Sequence, residues 1–176
     1  ILLDVSRSML ATDLHPNRLQ RAKADLMDLV TVFDGDRAGL IAFRGSAVPL
    51  CPLTTDYGYL RQTIDAADID SAPMGETDIG NAITRALEAF ESDEGSHKAI
   101  ILISDGEDLA GKALGAAERA GKKGIPIFTI GLGSRSGGKI PEEGKPASFM
   151  THNGTEVVTK LDDDNLHQIA QKAGGI

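Results

Sequence analysis

The chain has 176 residues, a formal net charge of −8 and 41% hydrophobic residues, a balance that is ordinary for a globular domain with a sizeable core. Its acidity argues against a nucleic-acid partner, because binding to phosphates requires a basic surface. The lone cysteine, Cys51, excludes an internal disulfide. No apolar run approaches the roughly 18 residues that a membrane-spanning helix needs.

Hydrophobic periodicity predicts strands that alternate with helices along the chain. The predicted elements are, in chain order, a strand at 1–5, a helix at 17–33, strands at 38–43 and 47–50, helices at 56–67 and 77–90, a strand at 99–104, a helix at 109–121, a strand at 125–130, a hairpin at 149–158 and a helix at 162–173. The stretch 132–147 is rich in Gly, Ser and Lys and is predicted to be a loop.

This alternation predicts an α/β fold with a doubly wound, mostly parallel central sheet flanked by helices. The run from Ile100 to Ile103 is continuously apolar, as expected for a strand that is covered on both faces. Pro49 suggests that the short strand around it lies at an edge, which we expect to be antiparallel. Asn153-Gly154 between two short strand-like runs is typical of a hairpin turn, so a late hairpin is also expected.

A polar motif, Asp4-Val5-Ser6-Arg7-Ser8, directly follows the first predicted strand. It puts one carboxylate and two hydroxyls on a turn at the carboxyl end of a strand, which is where open α/β sheets bind ligands. Carboxylate and hydroxyl oxygens are hard ligands of the kind that Mg²⁺ prefers. Taken alone, however, the two serines are better explained by turn formation and helix capping.

Two later segments supply oxygen ligands of the same kind. Thr77 stands in a polar, glycine-flanked loop, and Asp105 directly follows the strand that ends at Ser104. Each has an ordinary explanation on its own, Thr77 as a helix cap and Asp105 as a turn residue. Their conjunction with the first motif predicts a metal site for Mg²⁺, with Mn²⁺ or Ca²⁺ as alternatives. The predicted ligands are Asp4, Ser6, Ser8, Thr77 and Asp105.

At these residues the chain resembles the von Willebrand factor A-type domain, whose metal ion-dependent adhesion site has this composition in this chain order. Other phrases, among them Asn17-Arg18-Leu19 and Asp105-Gly106-Glu107-Asp108, resemble the Bat-type aerotolerance membrane proteins of bacteria. The resemblance implies that residues 1–176 form one von Willebrand A-like domain with the five ligands at its metal. Because the chain begins inside its first strand, we expect it to be a piece of a longer, membrane-anchored protein.

The resemblance implies binding of a protein partner rather than catalysis. Three neutral hydroxyl ligands leave an ion poorly neutralised, so a Glu or Asp of the partner would complete its coordination. The Bat-type resemblance further implies a stress-tolerance or assembly complex at the bacterial inner membrane, with a functional link to a MoxR-type AAA+ ATPase. It also implies that the domain faces the periplasm. Glu76 departs from the family pattern, in which relatives often carry a small residue, and could alter the choice of partner.

Three alternatives come from the residues themselves. The domain could be a structural scaffold whose ion only stabilises loops. A metal-assisted phosphatase would use Asp4 as its nucleophile, but Ser6 occupies the position where such enzymes usually carry a second carboxylate. The segment 133–139 matches the pattern of a nucleotide-binding loop, but Ile140 and Pro141 follow where a Ser or Thr and then a helix are required.

Overall fold

The computed structural model describes residues 1–91, 97–142 and 145–176. Its centre is a five-stranded sheet, in which the first, second, fourth and fifth strands run parallel and the third pairs antiparallel with the second. In chain order these strands are β1 Leu2–Asp4, β2 Ala38–Phe43, β3 Ala47–Thr54, β4 Ile100–Ser104 and β5 Ile127–Gly131. Their order across the sheet, β3-β2-β1-β4-β5, puts the antiparallel strand at an edge, as predicted.

Helices cover both faces of the sheet, which confirms the doubly wound α/β fold. Successive residues of a strand point to opposite faces, so Leu2 packs with one group of helices and Leu3 with the other, and both are fully buried. The first group is α3 Ile79–Ala89, α4 Ala113–Lys122 and α5 Asp163–Ala173. The second group is α1 Arg18–Val30 and α2 Tyr57–Ala66.

The direction of strand addition reverses between β1 and β4. From β1 the chain adds β2 and β3 on one side, and it then crosses to add β4 and β5 on the other. In open α/β sheets such a switch point leaves a crevice at the carboxyl ends of the two central strands. Asp4 ends β1 and Asp105 directly follows β4, so both carboxylates lie at this crevice.

The helix predicted at 109–121 begins only at Ala113. Gly111 has φ +67, a left-handed conformation that a right-handed helix cannot contain. The Asp108 carboxylate accepts hydrogen bonds from the backbone N–H groups of Ile79 (3.2 Å) and Ala113 (2.9 Å). The segment before α4 is therefore a turn that joins the starts of two helices, and the predicted start was wrong.

The prediction of a loop over 132–147 was also wrong in part, with residues 143–144 outside the described ranges. Short strands occur there as antiparallel pairs: β6 Gly138–Lys139 with β11 Val158–Thr159, and β7 Pro141–Glu142 with β8 Lys145–Phe149. The β6–β11 pairing joins segments about twenty residues apart, so local composition does not reveal it. The predicted end of the third strand, residue 50, was also wrong. This strand continues to Thr54, because register shifts accommodate its prolines.

The late hairpin is confirmed. β9 Thr151–His152 pairs antiparallel with β10 Thr155–Glu156, and the two turn residues, Asn153 and Gly154, have φ values of +52 and +78. Positive φ at both positions is what a two-residue hairpin turn of this kind requires. Across the described ranges, every helix is too short or too polar to traverse a bilayer.

Candidate metal centre

Asp4 is held in a fixed orientation at the end of β1. Its side chain is fully buried, and each carboxylate oxygen accepts a hydrogen bond. The backbone N–H of Ser6 donates to Oδ1 at 2.8 Å, and the hydroxyl of Ser104 donates to Oδ2 at 2.6 Å. The turn after β1 and the end of β4 therefore both position this carboxylate.

Ser6 and Ser8 form a pair of buried hydroxyls beside Asp4. Their Oγ atoms are 2.8 Å apart. Ser8 lies in a short 3₁₀ helix, Arg7–Leu10, which the sequence did not predict and which buries Met9 in the core. Ser6 precedes that helix, but its side chain makes no capping hydrogen bond. The capping explanation of Ser6 therefore does not hold, and its hydroxyl faces Ser8 instead.

Thr77 is buried in the loop that leads into α3. The residue that caps α3 is Asp78, whose carboxylate accepts from the backbone N–H of Asn81 at 2.7 Å, so Thr77 is not the cap. The carbonyl of Thr77 accepts from the N–H of Ala110 at 3.2 Å. This contact joins the Thr77 loop to the loop that follows Asp105.

Asp105 is fully buried just beyond β4. Its Oδ2 atom accepts hydrogen bonds from Arg18 Nη1 at 2.9 Å and from the Thr159 hydroxyl at 3.3 Å. Its Oδ1 atom accepts from the backbone N–H of Glu107 at 3.2 Å. An ion near this carboxylate would therefore meet a group that three neighbours already orient.

The two buried carboxylates repel each other. Burial, followed by the charge of Asp105, raises the pKa of Asp4 from 3.8 to about 7, although the hydrogen bonds from Ser104 and Ser6 oppose the shift. Burial and the same Asp105 charge also raise the pKa of Glu107. A cation bound between the carboxylates would relieve this repulsion and favour the ionised form of Asp4.

The chemistry of the donors fits a hard divalent cation. Within the described ranges no three or more His, Cys, Asp or Glu side chains cluster as a metal site, so an ion here would depend on the serine and threonine hydroxyls as well as on the carboxylates. An all-oxygen donor set of this kind suits Mg²⁺ and related hard ions rather than soft metals.

Sequence reasoning missed two side chains at this centre. Ser104 is the one polar residue of β4 and ends its apolar run, and a polar residue there was a signal that it has a specific partner. Arg18 is completely buried, although its position at the start of a helix gave no such indication. The alternative nucleotide-binding loop does not form, because Lys139 lies in strand β6 and pairs with Glu156 at 2.6 Å.

The von Willebrand factor type A domain model matches residues 1–107 of this chain. The chain therefore belongs to the von Willebrand factor type A domain family. Its fold resembles that of BatB from Bacteroides thetaiotaomicron, with 37% identity, a TM-score of 0.94, and coverage of 99% of this chain and 85% of that one. An aerotolerance-related membrane protein from Bacteroides fragilis gives 35% identity, a TM-score of 0.94 and coverage of 99% and 87%.

A UPF0353 protein from Mycobacterium ulcerans is 31% identical over 193 aligned positions, which cover 99% of this chain and 52% of the relative. The chain thus spans about half the length of the curated relatives that it matches. A mussel byssus protein, proximal thread matrix protein 1, has the same fold at 20% identity and a TM-score of 0.69, over 98% of this chain and 38% of that one, and it was solved with a zinc-occupied adhesion motif.

Proposed function

We propose that this domain captures a protein partner through a divalent ion, for which Mg²⁺ is the first candidate, held by the residues named above. Bound in the crevice, the ion would supply a Lewis-acidic position for an outside carboxylate. The observation that carries the proposal is the grouping of two buried carboxylates with neighbouring serine hydroxyls at the switch point of the sheet. The ligands would be Asp4, Ser6, Ser8, Thr77 and Asp105.

The five ligands have two different roles in this proposal. Ser6, Ser8 and Thr77 offer neutral oxygens, which leave most of the charge of the ion uncompensated. Asp4 and Asp105 are already hydrogen-bonded through both of their oxygens, so we propose that they act largely through bound water and orient the hydroxyls. The remaining positive charge would then attract a Glu or Asp side chain of the partner.

Two large apolar side chains are exposed on the loops that carry Thr77 and Asp105. Met74, three residues before Thr77, is 72% exposed, and Leu109, four residues after Asp105, is 57% exposed. A single exposed apolar side chain is ordinary on a protein surface, so the weight of these two comes from their place on the loops of two proposed ligands. We propose that the partner presents an acidic residue with apolar neighbours, which would contact these two side chains.

We propose binding rather than catalysis for this site. A phosphatase nucleophile must expose a carboxylate oxygen, whereas both oxygens of Asp4 are buried and hydrogen-bonded. The similarity to BatB and to an aerotolerance-related membrane protein supports a role in a membrane-associated assembly. An anchor outside this chain, a periplasmic orientation and a link to a MoxR-type ATPase belong to the same proposal.

The experiment that tests the proposal is capture of envelope proteins by the immobilised domain, in Mg²⁺ and in EDTA, with wild type and Thr77→Ala. The proposal expects a captured protein that is lost in EDTA and with Thr77→Ala, but kept with Thr63→Ala, a control at a half-buried threonine of α2. Equal capture by wild type and Thr77→Ala would favour the scaffold alternative, in which an ion only stabilises the loops.

A further inference from the structure

Arg18 is the first residue of α1, yet its side chain is completely buried and is the largest of the fully buried side chains. Arginine is almost never fully buried unless its charge is paired. Here Nε and Nη2 donate to the two carboxylate oxygens of Asp13, each at 2.8 Å. This bidentate pairing, with Asp13 itself only 7% exposed, fixes the plane of the guanidinium.

The third guanidinium nitrogen, Nη1, contacts the candidate metal centre. Nη1 donates to Oδ2 of Asp105 at 2.9 Å and to the hydroxyl of Thr159 at 3.3 Å. Nη2 also reaches the Thr159 carbonyl, at 3.1 Å. One rigid group thus connects Asp13, Asp105 and Thr159, which are far apart in the sequence. A lysine could not do this, because its ammonium is a single point of charge.

The β6–β11 pair and the residues just before it contact Arg18 and its partner Asp13. Thr159 lies in β11, opposite Gly138 of β6. The N–H of Ser134 donates to Oδ2 of Asp13 at 2.7 Å. A Cβ at Gly138 would lie 2.9 Å from Cγ of Asp13, so a larger residue there would push this ion pair aside. The β6–β11 pair, Asp13 and Arg18 therefore form one connected set of contacts.

From these contacts we infer that Arg18 is a positioning residue, which links the β6–β11 pair to the metal centre and holds Asp105 ready for the ion. The inference rests on the proposed function, since it requires that an ion binds. It goes further by assigning ion affinity and ion choice to residues that do not touch the ion. The physical basis is that groups which orient ligands commonly change metal affinity by about 10- to 100-fold when they are mutated.

The relative loss of Mg²⁺ and Ca²⁺ affinity distinguishes a positioning role of Arg18 from a merely structural one. Mg²⁺ demands near-ideal octahedral geometry, whereas Ca²⁺ accepts flexible and irregular sites. If Arg18 holds Asp105 in place, loosening it should weaken Mg²⁺ more than Ca²⁺. A general loss of folded protein would lower the apparent binding of both ions alike.

The test is calorimetric titration of wild type, Arg18→Lys and Thr159→Val with Mg²⁺ and with Ca²⁺, with folding checked by circular dichroism. Arg21→Lys is the matched control, on the same helix but exposed and paired with Asp25. We expect Arg18→Lys to weaken Mg²⁺ binding by about 10-fold or more and Ca²⁺ binding by clearly less. Thr159→Val should cause a smaller change in the same direction, and Arg21→Lys none.

Unchanged Mg²⁺ affinity in folded Arg18→Lys, or an equal loss for both ions, would overturn the inference while the proposed function stands. If Arg18→Lys does not fold, Thr159→Val decides alone, because it removes one hydroxyl and keeps nearly the same shape. Wild type that binds neither ion, even with acetate present, would overturn the proposed function and this inference together.

Discussion

The hydroxyl of Ser104 donates to Oδ2 of Asp4 at 2.6 Å, and this bond joins β4 to β1 at the point where both strands end. Both residues are fully buried. The register that pairs Leu3 with Ile103 makes Asp4 and Ser104 the next neighbours across the two strands. The geometry of the sheet itself, rather than a mobile loop, therefore orients the first carboxylate of the centre.

Ser104→Ala should destabilise the domain. The substitution removes a donor to Asp4 and also leaves the backbone N–H of Gly106 without the acceptor that it contacts at 3.0 Å. A buried polar group left unsatisfied costs about 1–3 kcal/mol, so the free energy of unfolding should fall by about that amount. Urea denaturation measures it, with Ser136→Ala as an exposed control. A loss no larger than that of the control would show that the bond contributes little.

Gly106→Ala should be more damaging than Gly111→Ala. Both glycines have positive φ, +86 and +67, so both substitutions strain the backbone. At Gly106 an added Cβ would also lie 2.3 Å from the carbonyl oxygen of Asp162, whereas at Gly111 nothing lies within 4 Å. The difference in unfolding free energy between the two variants isolates this clash. Equal effects would mean that the loop after Asp105 relaxes without cost.

Asp13 should make stability depend on pH in the acid range. Its hydrogen bonds from Arg18, assisted by Ser134, hold its pKa at about 2 instead of 3.8, although burial opposes the shift. The unfolded chain therefore binds more protons than the native state between these values, and stability falls as pH drops from about 4 towards 2. A pKa shift of this size corresponds to about 2 kcal/mol of unfolding free energy across the whole pH range.

Denaturation midpoints between pH 5 and pH 2.5 measure this dependence. Asp13→Asn should flatten it, while Asp25→Asn, which alters an exposed pair with Arg21, should leave it nearly unchanged. The same steep dependence in wild type and Asp13→Asn would assign the acid sensitivity to other carboxylates.

Polar substitution of the exposed apolar pair, Met74→Ser with Leu109→Ser, should weaken partner binding while leaving Mg²⁺ binding intact. These side chains are 72% and 57% exposed, so replacing them costs little in the folded domain. The measurement is the amount of a captured partner that each variant binds, with Val32→Ser as the control, which removes an apolar side chain, 73% exposed, just beyond the end of α1. Undiminished capture by the double variant would restrict recognition to the ion.

Much of the fold could be predicted because its signals are local. The apolar runs of β2 and β4 and the stripe of α3 have the periodicity of their elements, and the motif from Asp4 to Ser8 stands directly after an apolar strand. The start of α4 could not be predicted, because it depends on the φ of Gly111 and on the Asp108 contacts. The burial of Arg18 depends on Asp105 and Thr159, which its own neighbours in the sequence do not reveal.

The measurement that tests the central claim most directly is calorimetric titration of this chain with Mg²⁺, beside Ser6→Ala/Ser8→Ala. The two hydroxyls lie 2.8 Å apart, and Ser6 makes no capping bond, so their removal should leave the fold intact. The account predicts saturable binding by wild type, strengthened by added acetate, and no binding by the folded double variant. Equal binding by both proteins, or none by folded wild type with acetate present, would contradict it.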